Sequence, residues 1–254
     1  MRQAPLMEHR SDSGRYRVRM ADSEADIVAA QILRAGCFHS RQSRAAGRDA
    51  DRYDPFCQHV LVEDDRDGTL ACTFRVRLFG DGGGLRDSYA AGFYDLSGLG
   101  DYAAPVVELG RFCIRPGLPD ADILRVAWGR LSAIVNGAGA GMLIGCSSFP
   151  GTDPTPYRAG FALLAARHLA PCAWRPGRRA QRTVTLGPPE GPPPDPVAAA
   201  RTLPSLLRSY LGMGGRVSDH AVIDDDLGTL HVFTGLEISA IPPRRVRALR
   251  ALAG

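Results

Sequence analysis

Apolar residues recur along this chain with two periods, two and about 3.6, and the switches between them outline its elements. Tyr16-Arg-Val-Arg-Met20 alternates as a half-buried strand does. Asp22 or Ser23 can cap the helix that follows, which carries Ile27, Val28, Ile32 and Leu33. His59-Val-Leu-Val-Glu63 and the run Leu70–Phe79 flank the turn sequence Asp65-Arg-Asp-Gly68, which predicts a hairpin closed by the glycines of 80–84. Phe93-Tyr-Asp-Leu leads into a nine-residue strand, Val106–Ile114. Pro116-Gly-Leu-Pro119 then breaks the chain. Ile123, Leu124, Ala127, Trp128, Leu131, Ile134, Val135 and Ala138 keep helical spacing, with Asp120 or Asp122 available as a cap. Gly141–Phe149 reads as a buried strand, Tyr157–His168 and Leu203–Leu211 as helices, and Thr229–Glu237 as a final strand.

This order of elements predicts a mixed α/β (α+β) protein. Residues 1–14 are expected to be disordered, 15–187 to form the core, and 188–197 to form a proline-rich linker. Residues 198–241 should add a helix and a strand that complete the core, and 242–254 form a basic tail. In that tail Val246, Leu249 and Leu252 lie three apart between arginines. That spacing fits a surface helix or a peripheral contact with the inner face of a membrane.

Composition narrows the function classes. A 44% share of hydrophobic residues in 254 is ample for a packed core, yet no 18-residue apolar run can span a bilayer. The first residues lack the apolar segment of a secretory signal, so a cytoplasmic protein is expected. Six cysteines without CxxC spacing fit reduced core thiols better than disulfides or zinc, and no metal site is expected. All 31 basic residues are arginine, so every cationic contact is a planar fork suited to carboxylate or phosphate. Arg158, Arg167, Arg175, Arg178, Arg179 and Arg182 fall in a stretch, 154–189, that contains no acid. A solvated loop is the plain reading of that stretch, and a docking surface for an acidic partner is the functional one. No basic-aromatic interleaving points to nucleic acid.

The candidate chemistry lies in Val106–Ile114, where Glu108 and Arg111 interrupt an apolar strand. Residues three apart on a regular strand point to opposite faces. Gly110 between them marks a bulge, which would bring both charges to one side and free a backbone N–H. An internal salt bridge is the simpler reading, but burying such a pair adds little stability. An acid, an arginine and a free N–H together suit acyl transfer to an amine: Glu108 as base, the N–H near Gly110 for the oxyanion. Arg111 can grip a substrate carboxylate or orient Glu108, and the residues leave both roles open. Ser147 and Ser148 lack the elbow of a serine nucleophile, and Cys113 and Cys146 suit core packing.

Four segments, Asp51-Arg-Tyr-Asp-Pro-Phe-Cys-Gln-His59, Phe93-Tyr-Asp95, Glu108-Leu-Gly-Arg-Phe-Cys-Ile114 and Gly145-Cys-Ser-Ser-Phe-Pro-Gly-Thr-Asp153, occur in order along these elements. Together they resemble the ornithine–acyl carrier protein N-acyltransferases of bacterial aminolipid synthesis. That family lies within the GCN5-related N-acyltransferase superfamily and is related to acyl-homoserine-lactone synthases. The resemblance implies a central mixed, mostly antiparallel sheet flanked by helices, with its fourth and fifth strands splayed to admit a thioester arm. It implies transfer of a (3-hydroxy)fatty acyl group from acyl carrier protein to the α-amine of ornithine or a similar amino acid, with no bound cofactor. Asp51 and Asp54 would then recognise the amine, although Asp-Pro also favours a plain turn. Tyr94, Phe112, Cys113, Ser147, Ser148 and Phe149 would line the substrate path, and Arg175, Arg178 and Arg179 would dock the carrier. Coenzyme A-dependent relatives cradle a pyrophosphate on a glycine-rich loop, whereas this chain has Arg115-Pro-Gly-Leu-Pro-Asp-Ala-Asp122 there. Prolines lack the N–H and the acids repel phosphate, so the donor should be carrier-bound phosphopantetheine rather than coenzyme A. Two alternatives remain: an acyl-homoserine-lactone synthase, and a non-catalytic arginine-rich module for an acidic partner.

Overall fold

The computed structural model describes residues 14–38, 47–118, 121–187 and 195–252. The disorder expected at the N-terminus and most of the proline-rich linker lie outside the described residues. Eight strands form one sheet: β1 (Tyr16–Met20), β2 (Gln58–Asp64), β3 (Leu70–Phe79), β5 (Val106–Ile114), β6 (Met142–Pro150), β8 (Thr183–Thr185), β9 (Arg216–Asp224) and β10 (Thr229–Glu237). Their spatial order is β1-β2-β3-β5-β6-β10-β9-β8. Only β5 and β6 run parallel, and β4 (Tyr94–Asp95) and β7 (Gly177–Arg178) pair separately. The expected mixed, mostly antiparallel sheet is the one found.

Local sequence explains most of these elements. Ser23 caps α1 (Glu24–Cys37) by accepting the Asp26 N–H. The β2–β3 turn closes on Gly68, whose φ of 73° suits a residue without a Cβ. Helix α2 (Ala121–Gly137) covers one face of the sheet, where Ile123, Ala127 and Leu131 pack on Val60, Phe74 and Leu109, and α6 (Pro243–Leu252) packs on α2. On the same side Leu249 of α6 packs, partly buried, against this cluster. On the opposite face Phe79, Leu85, Ala90, Tyr94, Trp174 and Phe233 form a second cluster. A third lies under α3 (Arg158–Arg167) and α5 (Ser205–Gly212), beyond the short α4 (Pro196–Arg201). Burying each large apolar side chain contributes about 1.5–3 kcal/mol, which fixes the helices against the sheet.

The sequence reading missed β9. It carries Ser218, Asp219 and His220 in a row, a poor strand signal, yet Ser218 and His220 are fully buried. Ser218 Oγ donates to the His220 carbonyl on its own strand and accepts the Phe233 N–H from β10, so its hydroxyl is satisfied.

The parallel pairing of β5 and β6 stops at Leu109 and Gly145. Beyond it β5 follows β3 and β6 follows β10, so the sheet opens. Gly145 is required at that fork, because a Cβ there would lie 2.5 Å from the Leu109 carbonyl oxygen.

Candidate active site

A cavity of about 330 Å³ occupies the opening between the splayed strands. Leu109–Ile114 of β5 form one wall and Gly145–Ser148 of β6 the other. Cys37, Phe38 and Tyr89 close it on the α1 side, and Ser205, Leu206 and Tyr210 of α5 on the other. It therefore lies in the fork of the sheet, lined from both faces.

The bulge lies one residue later than the sequence suggested. Thr73 faces Cys113 and Arg75 faces Gly110, so Arg111 and Phe112 together oppose Phe74. Arg111, not Gly110, takes the left-handed conformation, at φ 52°. Such backbone is strained by about 1–3 kcal/mol in a residue with a Cβ and persists only where the surroundings over-determine it. Here they do. Arg111 Nε donates to Asp49 at 2.9 Å and Nη2 to Asp51 at 3.0 Å, and the guanidinium lies 4.9 Å from the centre of the Tyr89 ring.

Asp51 and Asp54 are likewise committed internally. Arg75 donates to both Asp51 oxygens at 2.6 and 2.7 Å and also to Asp54. Arg34 reaches Asp54 at 2.7 and 2.9 Å and Asp49 at 3.1 Å, and Gln31 adds a bond of 3.0 Å to Asp54. Three arginines and three aspartates thus neutralise one another in a buried network joining α1, β3, β5 and the 47–57 segment. Burial works to raise the Asp51 carboxyl, but bonds and charge from Arg75, and the charge of Arg111, hold it below the usual carboxylate range. Asp54 is held down in the same way, against burial, by Arg34 and then Arg75. The expectation that these aspartates meet the amine substrate directly is corrected: Asp54 is buried and both hold arginines. Arg34, Arg75 and Asp49 were not singled out, although Arg75, a charge within an apolar strand, gave the same signal as Glu108.

Glu108 is buried but does not border the cavity. Its oxygens accept the N–H groups of Tyr89 at 3.0 Å and Ala90 at 2.8 Å. Burial raises its pKa, and those two N–H groups only partly offset the rise. Glu108 and Arg111 do meet on one side of the sheet, through Tyr89, which the sequence reading overlooked. The geometry makes Glu108 the anchor of Tyr89 rather than a base open to substrate.

The remaining predicted residues divide. Phe112, Cys113, Ser147 and Ser148 line the cavity. Phe112 stacks on Phe74 at 5.5 Å, and Ser147 Oγ accepts from Thr234 at 3.0 Å. Cys37 and then burial push the Cys113 thiol up, and burial does the same to Cys146, so neither is a ready thiolate. Tyr94 sits behind the cavity, bonded to His231. Phe149 faces away: it is buried beside Tyr157 and Phe161, with ring centres 5.0 and 5.2 Å off. Alternation along β6 puts it on the opposite side from Ser148. Phe149→Ala is therefore expected to cost about 3–5 kcal/mol of stability and leave the KM for the acyl donor unchanged, as thermal melts and steady-state assays would show. A raised KM without a loss of stability would return Phe149 to the substrate path.

The basic stretch is also redistributed. Arg175 Nε donates to the Ala170 carbonyl and Arg178 to Thr183 and Thr185. None of Arg175, Arg178 and Arg179 borders the cavity. Arg179 instead joins Arg52, Arg77 and Arg86 around a separate concavity. A different basic depression, with Arg125, Arg208 and Arg245 over Leu124 and Trp128, shares Ser205 with the cavity.

A sheet forked at two parallel strands, with a cavity in the fork, defines the acyltransferases of the acetyltransferase (GNAT) class, and the model of that domain matches residues 32–129. The chain is 30% identical to the L-ornithine N(alpha)-acyltransferase of Rhizobium meliloti (strain 1021), over 93% of this chain and 84% of that protein. It is 29% identical to the enzyme of the same name from Brucella abortus (strain 2308), over 92% and 88%. Among solved structures, TofI in a ternary complex with an inhibitor and MTA aligns at a TM-score of 0.47 and 16% identity, over 94% of this chain and 100% of that one. The chain belongs to the L-ornithine N(alpha)-acyltransferase family. Among the described residues no helix is long and apolar enough to cross a membrane.

Proposed function

We propose that the protein moves a (3-hydroxy)fatty acyl group from the phosphopantetheine thioester of acyl carrier protein to the α-amine of ornithine, giving a lyso-aminolipid. The cavity through the forked sheet carries this reading. It holds about 330 Å³ and is lined by Leu109, Phe112, Ile114 and Leu206, an apolar path suited to an acyl-pantetheine arm. The thioester is already activated, so what the enzyme must supply is position, a neutral amine and a place for the oxyanion. The bulge at Arg111–Phe112 leaves a residue out of the ladder, and its backbone donor serves the oxyanion. Arg111, already bonded through Nε and Nη2, orients Tyr89 and the 47–57 segment and adds positive charge beside the amino-acid carboxylate. Membership of an enzyme family argues against the non-catalytic alternative.

The acidic carrier approaches over α5, where Arg125, Arg208 and Arg245 flank the depression continuous with Ser205. Such charge acts mainly on association and weakens with salt. Helix α2 opens with Asp122 in its first turn, a poor partner for the pyrophosphate of coenzyme A. The expected result is a kcat/KM at least tenfold higher for an acyl carrier protein thioester than for the matching acyl-coenzyme A, with ornithine as acceptor. Equal values for the two donors would remove the carrier from the proposal, and mass spectrometry of the product identifies the amine.

A further inference from the structure

Among the described residues that line the cavity there is no carboxylate, and His231 is the only imidazole. It lies on β10 directly across from Ser148, is 1% exposed, and stands edge-on to Phe93 with centroids 4.9 Å apart. We propose that His231 is a catalytic residue, its Nε2 taking the proton of the attacking amine and returning it to the leaving sulfur. The inference rests on the acyl-transfer reading above and names the base that Glu108, facing elsewhere, does not provide.

Hydrogen bonding fixes which nitrogen is free. Tyr94 Oη lies 2.8 Å from the His231 carbonyl oxygen and 3.1 Å from His231 Nδ1. A carbonyl only accepts; with the single phenolic proton given to it, the shorter of the two contacts, Oη accepts from Nδ1. The ring is therefore the Nδ1–H tautomer, and the lone pair resides on Nε2. That nitrogen is buried and has no partner in the protein. A buried acceptor without a partner costs about 1–3 kcal/mol, and a substrate N–H would satisfy it. Burial, then the charge of Arg111 and of His220, push the imidazole pKa down to about 3, so the ring is neutral before substrate arrives.

Glu108, Asp51 and Tyr89 are excluded as bases. The Glu108 oxygens accept two backbone N–H groups, and Asp51 holds Arg75 and Arg111. Burial raises the Tyr89 phenol, which stays protonated. The proton balance then follows. The substrate ammonium loses one proton to solvent. The amine adds to the thioester carbon, forming the C–N bond and placing the carbonyl π electrons on oxygen. The nitrogen, now cationic, gives its proton to Nε2. As the C=O bond re-forms and C–S breaks, the imidazolium protonates the thiolate, leaving an amide, a free thiol and a neutral histidine. A ring of so depressed a pKa is a weak acceptor until the neighbouring oxyanion favours the imidazolium, and then a ready donor for the last transfer.

The test uses the full chain with an acyl carrier protein thioester and ornithine. His231→Ala should lower kcat about 10²- to 10⁴-fold, with donor KM changed less than threefold. Added imidazole should restore at least tenfold of the lost rate in that variant and leave the wild type unaffected. His231→Gln, which keeps an acceptor of similar reach but cannot carry the proton, should fold normally and remain slow. A kcat above one third of wild type in either folded variant would overturn the proposal, as would a folded His231→Ala that imidazole does not restore. If the wild type ignores ornithine but acylates another primary amine, the acceptor assignment fails, and the same comparison with that amine still decides the role of His231.

Discussion

Asp54→Ala is expected to lower the unfolding free energy by about 3–5 kcal/mol, because it leaves Arg34 and Arg75 buried without their shared partner. For a domain of this size that is a fall in Tm of roughly 6–20 °C. The loss comes from breaking one side of the network, not from any large net gain in forming it. Denaturant titration of wild type and variant measures it, and a difference below about 1 kcal/mol would mean that the arginines find water instead. The acid dependence follows from the same groups. Asp51 and Asp54 are held below the usual carboxylate range in the folded state. Their contribution is whole above the unfolded value of about 3.9 and is lost as pH falls through the lower folded values. Wild-type stability should therefore fall on acidification below about pH 4, and Asp54→Ala should lose less across that interval.

Glu108→Gln is expected to lower kcat/KM by about 10²-fold and to destabilise the fold by about 1–3 kcal/mol at the same time. Both Glu108 oxygens accept backbone N–H groups. The amide can accept only one of them and turns an NH₂ toward the other. Tyr89, which packs on Arg111 at the cavity wall, is then released. The sequence alone would assign Glu108 to proton abstraction, for which activity falls and stability does not. Kinetics and denaturation on the same preparation separate the two. Lost activity with unchanged stability would restore Glu108 as the base, and an active, stable variant would remove it from the site.

The local elements were legible wherever one strong period met a clear cap or turn. The hairpin around Gly68, the helix α2 and the strand β10 fall where the pattern places them, because their period and turn signals lie within a few residues. The residue chemistry of β5 was visible too: two charges in an apolar strand are costly unless something satisfies them. What satisfies them was not visible. Asp49, Arg34 and Arg75 meet Arg111 and its neighbours only because α1, β3 and the 47–57 segment are folded onto β5. Likewise β9 reads poorly in sequence, since burial of its polar run Ser218-Asp219-His220 is imposed by the strands on either side of it.

By itself, then, the sequence determined the mixed sheet, the apolar strands flanking the fork, and the family resemblance carried by four ordered motifs. Period and turn chemistry are local, and ordered motifs survive in one dimension. Only the tertiary structure decided which atoms face the cavity. A bulge at Arg111 rather than Gly110 resets the alternation of β5, and a strand period of two turns a one-residue shift into a change of face. Glu108 lies outside the cavity, alternation along β6 turns Phe149 into the core, and His231, contributed by a strand some 120 positions later, lines the cavity.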